Sequence, residues 1–180
     1  MAPTPSTLIE QGYQARRENR LAEAGLQFLE AVRLCRGGDD RILLARALTG
    51  LGQIERDLGR LHPALEHYSE AAGLFRIGDL PLVLAHTVRH VGDILRNQRE
   101  LALAAPHYEE ALAIYRQRAA ETPPLDLANA IRGYALLKAD SGETAAAIEL
   151  WQEARQLYIS VGVKAGVDEA ESQLARLAPA

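Results

Sequence analysis

The chemistry available to this chain is mainly that of guanidinium groups. Of its 20 basic residues only Lys138 and Lys164 are lysines. A planar guanidinium meets a carboxylate through two parallel hydrogen bonds, which an ammonium cannot do. The arginine excess therefore reads either as a demand for carboxylate recognition or, more plainly, as a coding bias, and the second reading is favoured. Arg89 and Asp93 stand one helical turn apart and can also pair with each other. His86 and His90 have the i, i+4 spacing of paired metal ligands, but no Glu follows His86 and no third ligand stands nearby. No metal or other cofactor is expected. His90 is expected at a helix contact. The one cysteine, Cys35, excludes an intramolecular disulfide and a cysteine-based zinc site. There is no phosphate-cradling glycine loop, no nucleophile motif and no carboxylate pair with a reason to be perturbed, so the chain is not expected to be an enzyme.

The elements that must position these groups are legible because the sequence nearly repeats itself. Gly12, Gly52 and Gly92 fall 40 residues apart, as do Phe28, Tyr68 and Tyr108, and Ala31, Ala71 and Ala111. A fourth copy follows at a spacing of 43, with Ala135, Ala147, Trp151 and Ala154 at the matching places. Within a copy the apolar residues keep helical spacing. Leu44, Leu48, Leu51 and Ile54 form one stripe, and Leu61, Leu65, Tyr68, Ala72 and Phe75 form a second. Short polar breaks separate the two helices of a copy: Leu58-Gly59-Arg60, Asn97-Gln98-Arg99, and Leu137 to Gly142. Gly59 and Gly142 suit the left-handed residue that ends a helix. Stronger breaks separate the copies, at Gly37 to Asp40, Gly78 to Pro81, Glu121 to Pro124 and Gly162 to Gly166. There Asp and Thr can cap the next helix and Pro fits its first turn.

Nine helices and no strands are expected. Their repeats span about 5–38, 39–78, 79–121 and 122–163, with a last helix at about 167–177, all within one domain of residues 1–180. A period of this size marks a solenoid, whose units bury their apolar faces only against their neighbours. The last helix carries Asp168, Glu169, Glu171, Gln173 and Arg176, as a solvating end cap would. Phe28, Tyr68, Tyr108 and Trp151 stand in register and are expected in the core rather than as a base-stacking ladder. Cys35 holds the place of Phe75, Tyr115 and Tyr158, as a small apolar filler.

Composition narrows the function. With 48% hydrophobic and 24% charged residues the chain has the balance of a folded, soluble protein. A net charge of −4 argues against a generally cationic binder of nucleic acid or membrane. The stretch Met1-Ala2-Pro3-Thr4-Pro5-Ser6-Thr7 has no basic or apolar leader character, and no run approaches the roughly 18 apolar residues of a membrane span. A cytoplasmic location is expected.

The motif Leu51-Gly52, then Ala64, Tyr68 and Ala71, repeated as Val91-Gly92, Ala104, Tyr108 and Ala111, resembles the tetratricopeptide repeat (TPR) family. The resemblance covers about residues 6–160 and implies an all-α, right-handed α-solenoid of four TPR-like helix pairs plus a C-terminal capping helix. The period of 40 to 43 is longer than the usual 34, so each helix is expected to be longer by roughly a turn. Longer repeats of this type look like those of kinesin light chains and of bacterial regulator repeat modules. A repeat module standing alone is expected, with no room for an attached DNA-binding or catalytic domain.

The resemblance also implies a concave face lined by the first helix of each pair. It gives Ser6, Ile9, Tyr13, Arg16 and Arg17; Arg46, Thr49, Gln53, Arg56 and Asp57; His86, Arg89, Asp93, Arg96 and Asn97; and Asn129, Arg132, Leu136, Ala139 and Asp140. Seven of these are Arg and three Asp, a basic groove in an acidic body. The expected peptide-binding set is Arg46, Thr49, Gln53, Arg56, His86, Arg89, Asp93, Arg96, Asn129 and Arg132. Its arginines would clamp carboxylates while Gln53, Asn97 and Asn129 bond a peptide backbone. The opposing reading is that these arginines pair within the protein, Arg89 with Asp93 and others with Asp57 and Asp140. The Lys and Asn positions of the carboxylate clamp in chaperone-binding family members are not reproduced. The expected partner is a protein or peptide segment, acidic in character. The alternative is a self-associating homodimer, through the solenoid ends or exposed Ile77, Leu80 and Leu82, that works with a separate effector. Nucleic acid and membrane are not expected partners.

Overall fold

A computed structural model describes residues 3–178; Met1 and Ala2, part of the stretch read above for a leader, and Pro179 and Ala180 lie outside them. The described residues form nine α-helices and no strand. They are α1 (Pro5–Arg17), α2 (Leu21–Arg36), α3 (Arg41–Asp57), α4 (Leu61–Ile77), α5 (Pro81–Asn97), α6 (Leu101–Gln117), α7 (Pro124–Asp140), α8 (Thr144–Ser160) and α9 (Lys164–Leu177). The architecture is an all-α helical repeat of the α-solenoid class.

Two compact units are distinguished, one ending at Thr87 and one starting at Val88. In the first, α1 packs on α2 and on α3, α2 on α3, and α3 on α4. In the second, α6 packs on α7, α7 on α8, and α8 on α9.

The helices end where the backbone turns left-handed. Six joints are three residues long, and in each the middle residue has a positive φ: Asn19, Gly59, Asp79, Arg99, Gly142 and Gly162. The amide after it reaches back to the preceding helix, as Arg60 does to the Glu55 carbonyl at 2.8 Å and Glu143 to the Lys138 carbonyl at 2.9 Å. Gly59 and Gly142 adopt this conformation without steric penalty, as their sequence context predicts. The joint before α3 has no such residue; instead the Asp40 carboxylate accepts from the amides of Ile42 and Leu43, at 3.1 and 2.9 Å.

Three boundaries differ from expectation. Thr122 does not cap α7. Its hydroxyl donates to the carbonyls of Tyr115 and Arg118, both at 3.0 Å, and so closes the end of α6. It stands in the six-residue joint between α6 and α7, which accounts for the change of period from 40 to 43. Helix α7 continues to Asp140, leaving only residues 141–143 as the break. Helix α9 starts at Lys164 rather than Val167, because Gly166 belongs to its first turn and lies under the Tyr158 ring.

The core is built by fitting rings against residues without side chains. Phe28, Tyr68, Tyr108 and Trp151 are all fully buried. A Cβ added at Gly12 would stand 2.8 Å from the Phe28 ring, and one at Gly50 would overlap the same ring. Tyr108 is held in the same way between Gly92 and Gly133. Such interlock is what lets neighbouring helices approach closely. Cys35 is buried in its aromatic register, as expected.

Candidate functional site

In the first unit, α1 and α3 meet through Arg16, whose Nε donates to Asp57 Oδ2 at 2.7 Å. Arg56 approaches the other Asp57 oxygen at 3.4 Å. Tyr13 packs edge-on against Phe28, with ring centroids 5.0 Å apart. Burial raises the pKa of its hydroxyl, against the opposing charges of Arg16 and Arg46. Arg46 itself is exposed and makes no ion pair among the described residues. Gln53 is half-buried, and its buried Oε1 accepts no hydrogen bond there. Thr49 is buried and spends its hydroxyl on the Ala45 carbonyl at 2.9 Å. His86 is half-buried on α5, in this unit.

The second unit has a denser network. Asp93 on α5 accepts from the Tyr108 hydroxyl through Oδ1 at 2.8 Å and from Arg89 Nη1 through Oδ2 at 2.9 Å. His90 Nδ1 stands 3.3 Å from the same Oδ2, and Arg89 Nη2 stands 2.9 Å from His90 Nε2. These contacts are all satisfied by one tautomer, a neutral His90 that donates through Nδ1 and accepts through Nε2. Burial pushes the Asp93 carboxyl toward the neutral acid. The His90 hydrogen bond and the Arg89 charge outweigh it, and the group is held well below the usual carboxylate range. Burial and the Asp93 charge together raise the Tyr108 hydroxyl far above the usual tyrosine range.

Two further arginines of this unit bridge alternate helices. Arg96 Nη1 donates to Asp140 Oδ2 on α7 at 2.9 Å. Arg132 on α7 grips Glu169 on α9 with both arms of the fork, Nε and Nη2 each 2.6 Å from a carboxylate oxygen. Beside that pair the Tyr158 hydroxyl donates to Asn129 Oδ1 at 2.9 Å.

The expected site residues thus fall into three groups. Arg89 and Asp93 come together with His90 and Tyr108 as an internal network, and Arg89 is only 12% exposed. Arg16, Arg56 and Arg96 meet carboxylates near their helix ends, and Arg132 does so at mid-helix, each keeping part of its surface in solvent. Gln53 keeps a buried oxygen without a hydrogen bond, and Arg46 is exposed with no ion pair among the described residues. The pairings follow a register: Arg16, Arg56 and Arg96 are equivalent by repeat, and so are Asp57, Asn97 and Asp140.

Three contributors were not singled out from the sequence. Gly50 and Gly133 both stand nine residues after the start of their helices, a register visible once the helix starts are known. Glu169 was read as a solvated cap residue, because nothing in a helical pattern distinguishes an exposed glutamate from one gripped by the preceding repeat.

No protein-family model matches the chain, and no curated protein does at the level of sequence. Solved structures match it closely in shape. BtubC (BKLC) from P. vanneervenii superposes with a TM-score of 0.77 at 18% identity, over 88% of this chain and 65% of that one. Aspartyl phosphate phosphatase F from Bacillus subtilis gives 0.82 at 14% identity, over 94% of this chain and 44% of that one. A Rap protein complexed with Competence and Sporulation Factor gives 0.78 at 14% identity, over 96% and 48%. The chain has a TPR-type helical-repeat fold. It spans about half to two thirds of the length of these relatives in fold. Among the described residues no helix is long and apolar enough to cross a membrane, and no group of three or more His, Cys, Asp or Glu is placed to hold a metal ion.

Proposed function

We propose that this chain is a non-enzymatic protein-interaction scaffold that holds acidic protein or peptide segments, on arginines of α1 and α3 in its first unit and on arginines of α5 and α7 in its second. The observation that carries this reading is Arg46, exposed on α3 with no ion pair among the described residues, seven residues before Gln53, whose buried Oε1 offers an acceptor for a ligand amide. The fork between Arg132 and Glu169 is an internal pairing, and it displays the bidentate geometry a ligand carboxylate would use on Arg46. Arg56, Arg96, Asn129 and His86 complete the set, whereas Thr49, Arg89 and Asp93 serve it by fixing their helices. The fold neighbour complexed with Competence and Sporulation Factor supports a binding role.

The mechanism is preorganisation. Helices already locked by ring-in-glycine packing lose little entropy when a segment docks on them. The test is affinity capture from a cell lysate with wild type beside an Arg46→Glu/Arg56→Glu variant, eluting with rising salt. The proposal expects a protein held by wild type, released by moderate salt and lost from the variant. Equal retention by both would remove the arginines from the binding role.

A further inference from the structure

Helix α2 departs from its three counterparts on its outward side. It displays Leu26 and Leu29, which are 67% and 57% exposed. At the same two places α4 has Glu66 and Ser69, α6 has Pro106 and Glu109, and α8 has Glu149 and Gln152. One residue before Leu26 stands Gly25, where the other helices have Leu65, Ala105 and Ile148. A Cβ placed on Gly25 would meet only Ile54 Cγ2, at 3.6 Å, so the notch is open. Leu21, Leu51 and Leu58 join these residues around a cleft of about 260 Å³, whose lining also includes His67 and the ion pair of Arg60 with Glu55. Two exposed leucines beside an apolar notch, all within the first unit, form a contiguous apolar patch of the kind that marks an interaction site.

We infer that a second copy of this chain covers the patch, with the two α2 helices packed antiparallel about a two-fold axis near Gln27 and Phe28. Leu26 and Leu29 are symmetric about that axis, so each leucine of one copy meets the other leucine of its mate. This is the self-complementarity that an isologous interface requires. Charge selects the direction. Within α2 itself the first half carries Glu23 as its one charge, and the second half carries Glu30, Arg33 and Arg36, one base in excess. Antiparallel packing sets the acidic end on the basic end twice, and brings Glu23 near the Arg33 of the other copy. Parallel packing sets like on like. Both side chains are at least half exposed, and their present partners, Arg20 and Glu30, are surface pairs that exchange easily.

A patch of this size makes a weak, reversible dimer. Sedimentation equilibrium of the purified chain from about 1 to 200 μM tests it by mass action. The inference expects a mass rising from 19.6 kDa toward twice that value. Leu26→Glu/Leu29→Glu, an exposed change that leaves the helical circular dichroism intact, raises the dissociation constant at least about tenfold. Glu23→Arg alone weakens the dimer, and adding Arg33→Glu restores it. A wild type that stays at 19.6 kDa throughout overturns the inference and leaves the cleft to the helix of a different protein. A dimer indifferent to the leucine changes overturns it too, and a charge swap without rescue overturns the antiparallel arrangement.

Discussion

The Tyr108 hydroxyl reaches Asp93 from α6 to α5 at 2.8 Å, through space that exists because residue 133 has no side chain. A Cβ there would stand 2.5 Å from Tyr108 Cε1 and 3.0 Å from Asp93 Oδ1. One glycine on α7 therefore protects both the packing of the aromatic ring and the hydrogen bond of a buried carboxylate. The consequences can be separated by substitution.

Tyr108→Phe keeps the ring and removes one donor from Asp93. A hydrogen bond to a buried charge is worth about 1.5–3 kcal/mol, and the variant is expected to lose that much stability in urea unfolding. Gly133→Ala overpacks the same place and is expected to cost about 1–3 kcal/mol by a different route. Because the clash is with the ring, Tyr108→Phe should not relieve it.

The depressed pKa of Asp93 makes stability depend on pH. A carboxyl that ionises more readily in the folded state contributes stability above its unfolded pKa, near the ordinary aspartate value. That contribution falls away as pH drops below that value toward the lower folded one. Thermal melts of wild type should therefore decline below about pH 4 more steeply than those of Asp93→Asn. The raised Tyr108 acts in the opposite sense: its contribution is complete below the ordinary tyrosine pKa and is lost as pH rises above it. Parallel acid profiles for wild type and Asp93→Asn would remove Asp93 from this role.

How far the sequence reaches is visible in these same residues. The ring positions Phe28, Tyr68, Tyr108 and Trp151 and the opposing Gly12, Gly52 and Gly92 were legible, because small and large residues recur at a fixed spacing. So was the pairing of Arg89 with Asp93 as one of two readings, since residues four apart on a helix are neighbours. The third and fourth partners, Tyr108 and His90, were not. A hydrogen bond from one helix to the next depends on the rotation of both helices, which apolar periodicity leaves loose. Asp140 was legible as a neutraliser of arginines but its partner Arg96 was not, and Arg132 with Glu169 escaped altogether, these pairs being separated by 44 and 37 residues. Thr122 was misplaced because hydroxyls cap either end of a joint, and only the longer joint beside it decides which.

Arg99 holds the left-handed place that Gly59 and Gly142 hold elsewhere, at φ 66°. A side chain there is strained. Its ion pair with Asp140, at 3.3 Å, lies largely in solvent and offsets little of that cost. Arg99→Gly is expected to stabilise the protein by about 0.5–1 kcal/mol, read as a higher urea midpoint at unchanged slope. A lower midpoint would show that the Arg99 pair outweighs the strain.

The fork between Arg132 and Glu169 ties α9 to α7. With both side chains about a third exposed, Glu169→Gln is expected to cost no more than about 1 kcal/mol overall. Its clearer effect is local. Amide exchange should quicken along α9 and stay unchanged in α1 to α4, as hydrogen exchange with mass spectrometry would record. Uniform quickening in all helices would instead mean that the pair supports the whole chain.

The most direct test of the scaffold account is titration of a labelled, helix-forming Glu-rich peptide, followed by fluorescence anisotropy, against wild type and Arg46→Glu/Arg56→Glu. The account predicts saturable binding to wild type that weakens as salt rises. Affinity should fall at least about tenfold in the variant, and a peptide of the same sequence with Gln for Glu should not bind. Equal binding of the acidic and neutral peptides, or equal binding by wild type and the variant, would contradict it.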